Sequence, residues 1–145
     1  ATTALQEQLA QEGGDIKTLS RLLGLEVDVE MAKDPHQYIC DVRVEENIDE
    51  LGALSDEIHE WLNNTKRGVR SEIPTISDHV WKKMKWEESM ACDICSSRGF
   101  CKLVKARQQY RLTKDLLIVD HETFFHDLWS RDELLDSGKL PILPD

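Results

Sequence analysis

The sequence predicts a small, mainly helical domain with one or two short strands. Three observations predict this fold class. Apolar residues recur at helical spacing in most segments, Gly and Pro interrupt the chain at short intervals, and only two stretches have the pattern of strands. The chain has 145 residues, the usual size of one domain. We therefore expect a single helical domain over residues 1–137 and an extended tail over residues 138–145.

The first half of the chain contains three predicted helices and one predicted strand. Apolar residues at helical spacing predict short helices over residues 3–10 and 16–23. Residues 37–44 alternate in the manner of a strand with one buried face, so Cys40 would point inward. The best helix is predicted over residues 47–62. Its apolar stripe consists of Ile48, Leu51, Leu54, Ile58, Trp61 and Leu62.

The second half begins with a predicted loop over residues 65–77, which contains Gly and Pro among polar residues. A helix with one apolar face follows from residue 78 and is expected to reach Met90. Residues 102–112 are predicted to be helical, as are residues 121–129. Between these two helices lies a run of four apolar residues, Leu116–Val119, which is either a short buried strand or a continuation of the preceding helix.

Charge is strongly segregated along the chain. The net charge is −10, but residues 1–65 carry −11, residues 66–114 carry +7, and residues 115–145 carry −6. The middle part, here called the basic segment, either pairs with the acidic helices of the chain itself or contacts an acidic protein or a nucleic acid. The predicted partner-binding residues are Lys82, Lys83, Lys85, Arg98, Lys102, Lys105, Arg107 and Arg111.

Composition argues against a membrane protein and against a wholly disordered chain. Apolar residues make up 40% of the chain, charged residues make up 32%, and the mean hydropathy is −0.47. The run Leu116–Val119 is far shorter than the roughly 20 apolar residues that cross a bilayer. Residues 1–9 lack both the basic leader and the apolar stretch of a secretory signal. We therefore expect a cytoplasmic protein that does not contact a membrane.

The four cysteines form one pattern, in which Cys40 stands alone and Cys92, Cys95 and Cys101 lie within ten residues. Two thiolates separated by two residues can face one metal centre, and Gly99 would let the backbone bend so that the third thiolate joins them. A disulfide framework is improbable in a cytosolic chain of this size. Ordinary cytosolic thiols remain an alternative, but four soft ligands are what a zinc ion or an iron–sulfur cluster requires.

The spacing favours a [4Fe–4S] cluster over zinc, because structural zinc usually takes its ligands as two closely spaced pairs. One distant cysteine followed by Cys-x2-Cys-x5-Cys resembles the [4Fe–4S] staple of helicase-nuclease and CRISPR-associated nuclease proteins, and the cluster motif of the WhiB-like regulators. The resemblance is confined to the four cysteines. The sequence lacks the nuclease carboxylate and lysine motif and the Gly-Trp-Gly-Gly turn, so the resemblance implies a cofactor and not an activity. The implied ligands are Cys40, Cys92, Cys95 and Cys101.

These observations predict an iron–sulfur-binding regulatory or accessory protein, which contacts a protein or nucleic-acid partner through its basic segment and is not an enzyme on its own. Trp81, Trp86 and Phe100 are candidates to shield the cluster from water. One alternative is a small electron-transfer subunit of an oxidoreductase complex, and another is an adaptor stapled by zinc. No catalytic residue is predicted, because the sequence contains no phosphate-binding Gly loop and no nucleophile elbow.

Overall fold

The computed structural model describes residues 3–136 and Leu143, and it divides the chain into two compact units. The split unit comprises residues 1–33 and 107–145, and the inserted unit comprises residues 34–106. The predicted tail over residues 138–145 lies outside the described residues except for Leu143. In chain order the helices and strands are α1 (Thr3–Ala10), α2 (Asp15–Leu23), β1 (Val29–Ala32), α3 (Asp41–Glu46), α4 (Ile48–Leu51), α5 (Ser55–Asn64), α6 (Asp78–Met84), α7 (Lys102–Leu112), β2 (Leu116–Val119) and α8 (His121–Asp136).

The mainly helical fold with two short strands is confirmed. β2 is a strand and not a continuation of α7, and it pairs in parallel with β1, which places Val29 opposite Leu116. Two aspartates fix this register. The backbone N–H of Asp28 donates to Asp115 Oδ2 at 2.8 Å, and the N–H of Lys114 donates to Asp28 Oδ2 at 3.1 Å. Parallel strands need a long crossover connection. Here the connection from β1 to β2 contains the whole inserted unit.

In the split unit, one buried cation is neutralised locally. Lys33 has a relative exposure of 7%, and its Nζ lies 2.8 Å from Glu7 Oε1 on α1. Its backbone N–H donates to the hydroxyl of Tyr110 at 3.2 Å. This pairing is required because an uncompensated buried ammonium would be costly. Within residues 3–136, no helix combines the length and the apolar character that a membrane span requires.

The core of the inserted unit is built mainly from the predicted apolar faces. α4 and α5 together cover the predicted helix over residues 47–62, but a 3-10 turn at Gly52–Leu54 separates them. Gly52 has a φ of 52°, a left-handed value that ends α4. The buried residues of this core are Ile39, Val44, Leu51, Ile58, Ile73, Ile76, Trp81 and Met84.

Two sequence predictions in the inserted unit are wrong. Residues 37–44 do not form a strand, because Tyr38 and Ile39 make only isolated bridges, with Val69 and Lys85, and the chain then turns into α3. The helix that begins after Ser77 ends at Met84 and does not reach Met90. Ser77 caps this helix by accepting a hydrogen bond from the N–H of Val80 at 3.4 Å.

Candidate metal centre

All four cysteines belong to the inserted unit, and two of them stand at helix N-termini. Cys40 precedes α3, and its carbonyl oxygen accepts the N–H of Val44 at 3.1 Å. Cys101 precedes α7, and its carbonyl oxygen accepts the N–H of Lys105 at 3.1 Å. The chain therefore turns into a helix directly after each of these two cysteines.

The other two cysteines bracket a single 3-10 turn, Cys92–Ile94. The N–H of Cys95 closes this turn by donating to the carbonyl oxygen of Cys92 at 3.4 Å. The next turn follows at once, since the N–H of Cys101 donates to the carbonyl oxygen of Arg98 at 3.3 Å. Gly99 lies within this turn and does not have the left-handed conformation. All four cysteines are free and half-buried.

Cys40 is close enough to two of the later cysteines to respond to their charge. Burial is the main cause that raises the pKa of the Cys40 thiol, and the charges of Cys101 and Cys92 raise it further. The backbone N–H groups of Arg43 and Val42 act in the opposite direction. The fold thus brings a cysteine from before α3 into electrostatic reach of two cysteines that follow it by more than 50 residues.

The described residues do not show a closed ligand set for a single ion. Among them, no three His, Cys, Asp or Glu side chains approach closely enough to hold one metal ion. The donor chemistry nevertheless fits an iron–sulfur cluster, since four reduced thiols lie in one compact unit and two occupy helix N-termini. The assignment of Cys40, Cys92, Cys95 and Cys101 as ligands stays a prediction.

The three candidate shielding residues have different surroundings. Trp86 packs with Cys101 against the buried cluster of Tyr38, Val69 and Leu103, and its indole N–H donates to Cys92 Sγ at 3.3 Å. Trp81 is buried in the main core, where its indole N–H donates to the carbonyl oxygen of His36 at 3.2 Å. Phe100 is 76% exposed, so the prediction that it shields the cysteines is wrong.

Several of the predicted partner-binding cations are already engaged within the chain. Lys83 pairs with Glu50, Lys85 pairs with Glu87, and Lys102 Nζ donates to the carbonyl oxygen of Thr65 at 2.9 Å. The Lys85 ammonium holds the pKa of Glu87 below its usual range, mainly through their hydrogen bond. The prediction that the basic segment pairs partly with the chain's own acids therefore applies to Lys83 and Lys85, whereas Lys102 bonds to the backbone.

The remaining predicted cations are more accessible. Arg98 is exposed and pairs only loosely with Asp93, at 3.7 Å, while one of its nitrogens donates to the carbonyl oxygen of Cys92 at 3.1 Å. Lys82 and Lys105 are exposed, and neither forms an ion pair with another of the described residues. Arg107 and Arg111 lie on the part of α7 that belongs to the split unit. Among the predicted cations of the inserted unit, Lys82 and Lys105 are thus the exposed ones that form no ion pair with a described residue, and the exposed Lys66 and Arg67 add to the positive charge of this unit.

Sequence reasoning missed two residues that shape this region. Gly68 approaches Lys102 and Ile39 so closely that an added Cβ would lie 2.7 Å from Lys102 Cγ, although the sequence marks it only as a loop residue. His36 lies beside Trp86, with the two rings tilted and their centroids 5.3 Å apart. These contacts have no local sequence signal, because each joins residues that are at least 29 positions apart.

Comparison with known proteins relates the chain to a segment of ATP-dependent helicases. No family model matches the sequence. The chain is 28% identical over 157 residues to the probable ATP-dependent helicase YpvA of Bacillus subtilis, in an alignment that covers all of this chain and 24% of that protein. It is 25% identical over 152 residues to the ATP-dependent DNA helicase YoaA of Haemophilus influenzae, covering 97% of this chain and 22% of that protein.

The chain therefore spans about a quarter of the length of the curated relatives it matches. The helicase part of the resemblance inferred from the cysteine spacing agrees with the names of these relatives. The alignments extend over nearly the whole chain, so the similarity is not confined to the cysteines.

Proposed function

We propose that this chain is the iron–sulfur-binding segment of a helicase-like protein, and that its basic segment contacts nucleic acid. In this proposal Cys40, Cys92, Cys95 and Cys101 hold one [4Fe–4S] cluster. The proposal depends above all on the contacts of Trp86. Its indole donates to Cys92 Sγ, its ring and Cys101 pack against one buried cluster, and its backbone N–H donates to the carbonyl oxygen of Tyr38, two residues before Cys40. The helicase relatives supply the nucleic-acid context.

The spacing of the cysteines along the chain favours a cluster over zinc, because structural zinc usually takes its ligands as two closely spaced pairs. Four thiolates around one zinc ion would stand only about 3.8 Å apart, as follows from Zn–S bonds of about 2.3 Å in a tetrahedron. In a four-iron cluster each thiolate binds a different iron, so the sulfur atoms stand further apart. A zinc site and a four-iron cluster therefore require different sulfur–sulfur separations.

The residues around the thiols have distinct tasks in this proposal. Cys40 and Cys101 each stand directly before a helix, α3 and α7, which fixes where the chain leaves each candidate ligand. The guanidinium of Arg98 donates a hydrogen bond to the carbonyl oxygen of Cys92, which places a positive charge beside the 3-10 turn that carries two candidate ligands. When bound, the cluster would supply a rigid cross-link between the start and the end of the inserted unit, and a centre able to take up one electron.

A matched pair of substitutions tests the cluster. We expect anaerobically purified protein to contain about four irons per chain and to absorb visible light. Cys95→Ser should abolish both properties and remove the stability that depends on metal. Ser96→Ala, an exposed neighbour in the same turn, should retain the iron and change the free energy of unfolding by less than about 0.5 kcal/mol.

Metal analysis, absorption spectra and thermal melting provide the measurements. A colourless protein with one zinc ion per chain would contradict the cluster and favour the zinc-stapled adaptor. Equal and small effects of Cys95→Ser and Ser96→Ala would contradict any metal site at the cysteines.

A further inference from the structure

Trp86 makes a directional contact with one of the candidate ligands. It lies two residues after the end of α6, and its indole N–H donates to Cys92 Sγ at 3.3 Å. An indole nitrogen is a donor only, so this contact cannot reverse its polarity. Sulfur is a weak acceptor as a thiol but a better one when it carries negative charge, as a thiolate ligand does. The contact is therefore stronger in the metal-binding form of Cys92 than in the free thiol.

The indole ring is fixed by contacts that do not involve the cysteines' sulfur atoms. The backbone N–H of Trp86 donates to the carbonyl oxygen of Tyr38 at 2.9 Å. One side of the ring meets the imidazole of His36, and the ring packs against the buried cluster that includes Val69 and Leu103. The donor is thus oriented before any metal arrives, so that no rotamer freedom is lost when the hydrogen bond strengthens.

We propose that Trp86 is a positioning residue of the metal centre, which orients the sulfur of Cys92 and raises the reduction potential of the cluster. This inference rests on the proposed cluster. The direction follows from electrostatics, because reduction adds negative charge to the cluster and its sulfur ligands, and an N–H donor stabilises that charge. Trp86 is accordingly more than a shield against water.

The test compares Trp86→Phe with Trp81→Phe. Each substitution keeps an aromatic ring and removes one indole N–H, but the indole of Trp81 donates to a backbone oxygen of His36 and not to a cysteine. In anaerobically loaded protein, we expect Trp86→Phe to shift the midpoint potential to a more negative value and to weaken the retention of iron against a chelator by about tenfold. Trp81→Phe should leave the potential unchanged. Equal potentials for the two variants, or a positive shift in Trp86→Phe, would overturn the proposal.

A second measurement on cluster-free protein examines the hydrogen bond itself. In a proton–nitrogen correlation spectrum, Cys92→Ala should move the indole N–H resonance of Trp86 and leave that of Trp81 in place. An unmoved Trp86 resonance would overturn the proposal even if Trp86→Phe failed to fold. Wild-type protein that takes up no iron would refute both the proposed function and the effect of Trp86 on the reduction potential. The indole N–H resonance of Trp86 would still show whether its hydrogen bond to Cys92 forms.

Discussion

Gly68 lies against the chain neighbours of two candidate ligands. Its φ is +65°, and a Cβ at this position would lie 2.7 Å from Lys102 Cγ and 3.0 Å from Ile39 Cγ2. Its carbonyl oxygen accepts the N–H of Ile39 at 2.9 Å, and its N–H donates to Thr65 Oγ1 at 2.8 Å. Ile39 precedes Cys40 and Lys102 follows Cys101, so this glycine contacts the neighbours of two candidate ligands.

We predict that Gly68→Ala lowers the free energy of unfolding by about 1–3 kcal/mol, since it combines a left-handed backbone with a steric clash. Gly99→Ala is the matched control, because its Cβ would meet no atom within 4 Å and its φ is not left-handed. The control should be neutral or slightly stabilising. Denaturant unfolding of both variants measures the difference, and a Gly68→Ala protein as stable as Gly99→Ala would contradict the geometry.

The candidate ligands could be predicted from the sequence, but their environment could not. The short spacing of Cys92, Cys95 and Cys101 identifies them as candidate ligands, and spacing is a local property of the chain. The hydrogen bond from Trp86 to Cys92 depends on how the chain runs between α6 and the 3-10 turn, and no periodicity encodes that path. The exposure of Phe100 is likewise a property of the folded segment.

At the scale of elements, α3 and α5 are joined by one polar contact. His59 Nε2 on α5 lies 3.0 Å from Glu45 Oε1 on α3, and His59 Nδ1 lies 2.8 Å from the carbonyl oxygen of Ser55. Only the imidazolium can donate from both nitrogens. The hydrogen bond to Glu45 is the main cause that raises the pKa of His59 above its ordinary value.

We predict that Glu45→Gln lowers the pKa of His59 toward that of a free histidine, as measured by the NMR titration of its imidazole. Because the folded pKa is raised, the pair stabilises the protein fully below the unfolded pKa of about 6.5, and this stabilisation is lost as the pH rises through the folded pKa. Glu46→Gln removes an equal charge from α3 and should leave the titration of His59 nearly unchanged. A titration midpoint that does not move in Glu45→Gln would show that the contact does not form in solution.

The elements differ in how well their sequence patterns predict them. α7 has the predicted bounds, since its buried residues Leu103 and Tyr110 are seven apart, two turns of a helix. Residues 37–44 alternate like a strand, yet only Tyr38 and Ile39 find a bridging partner, and Cys40 then starts a helix. Alternation predicts which side chains can share a face, whereas a strand also needs a neighbouring strand to pair with.

At the scale of the whole molecule, the helical class follows from composition and periodicity, but the topology does not. β1 was not predicted, because Val29–Ala32 is four residues long and includes Glu30, so it lacks a recognisable alternation. Its partner β2 is 87 positions further along the chain. Pairing over such a distance is decided by tertiary packing, and local sequence patterns do not report it.

The segregation of charge is also a property of the whole molecule, and the proposed contact with nucleic acid depends on it. We expect single-stranded DNA to bind more weakly as salt increases, because phosphate contacts release counterions. Lys105→Ala should weaken binding and reduce the slope of log affinity against log salt by about 0.7, the value for one contact with a single strand. Arg21→Ala removes an exposed cation, paired with Glu12, from the acidic N-terminal part of the chain and serves as the control.

Fluorescence anisotropy with a labelled oligonucleotide at several salt concentrations measures both slopes. Identical slopes for Lys105→Ala and the wild type would remove Lys105 from the proposed contact surface. A larger effect of Arg21→Ala would place the contact outside the basic segment altogether.

The parallel pairing of β1 with β2 has a consequence for how such a chain can evolve. β1 ends at Ala32, and the N–H of the next residue, Lys33, meets the hydroxyl of Tyr110, so the polypeptide departs and returns at neighbouring points. An inserted segment whose two ends lie close together can become longer or shorter, or be replaced, while the two strands keep their register. Substitutions and length changes in the inserted unit, which carries the cysteines, can therefore be selected without a change in the pairing of β1 with β2.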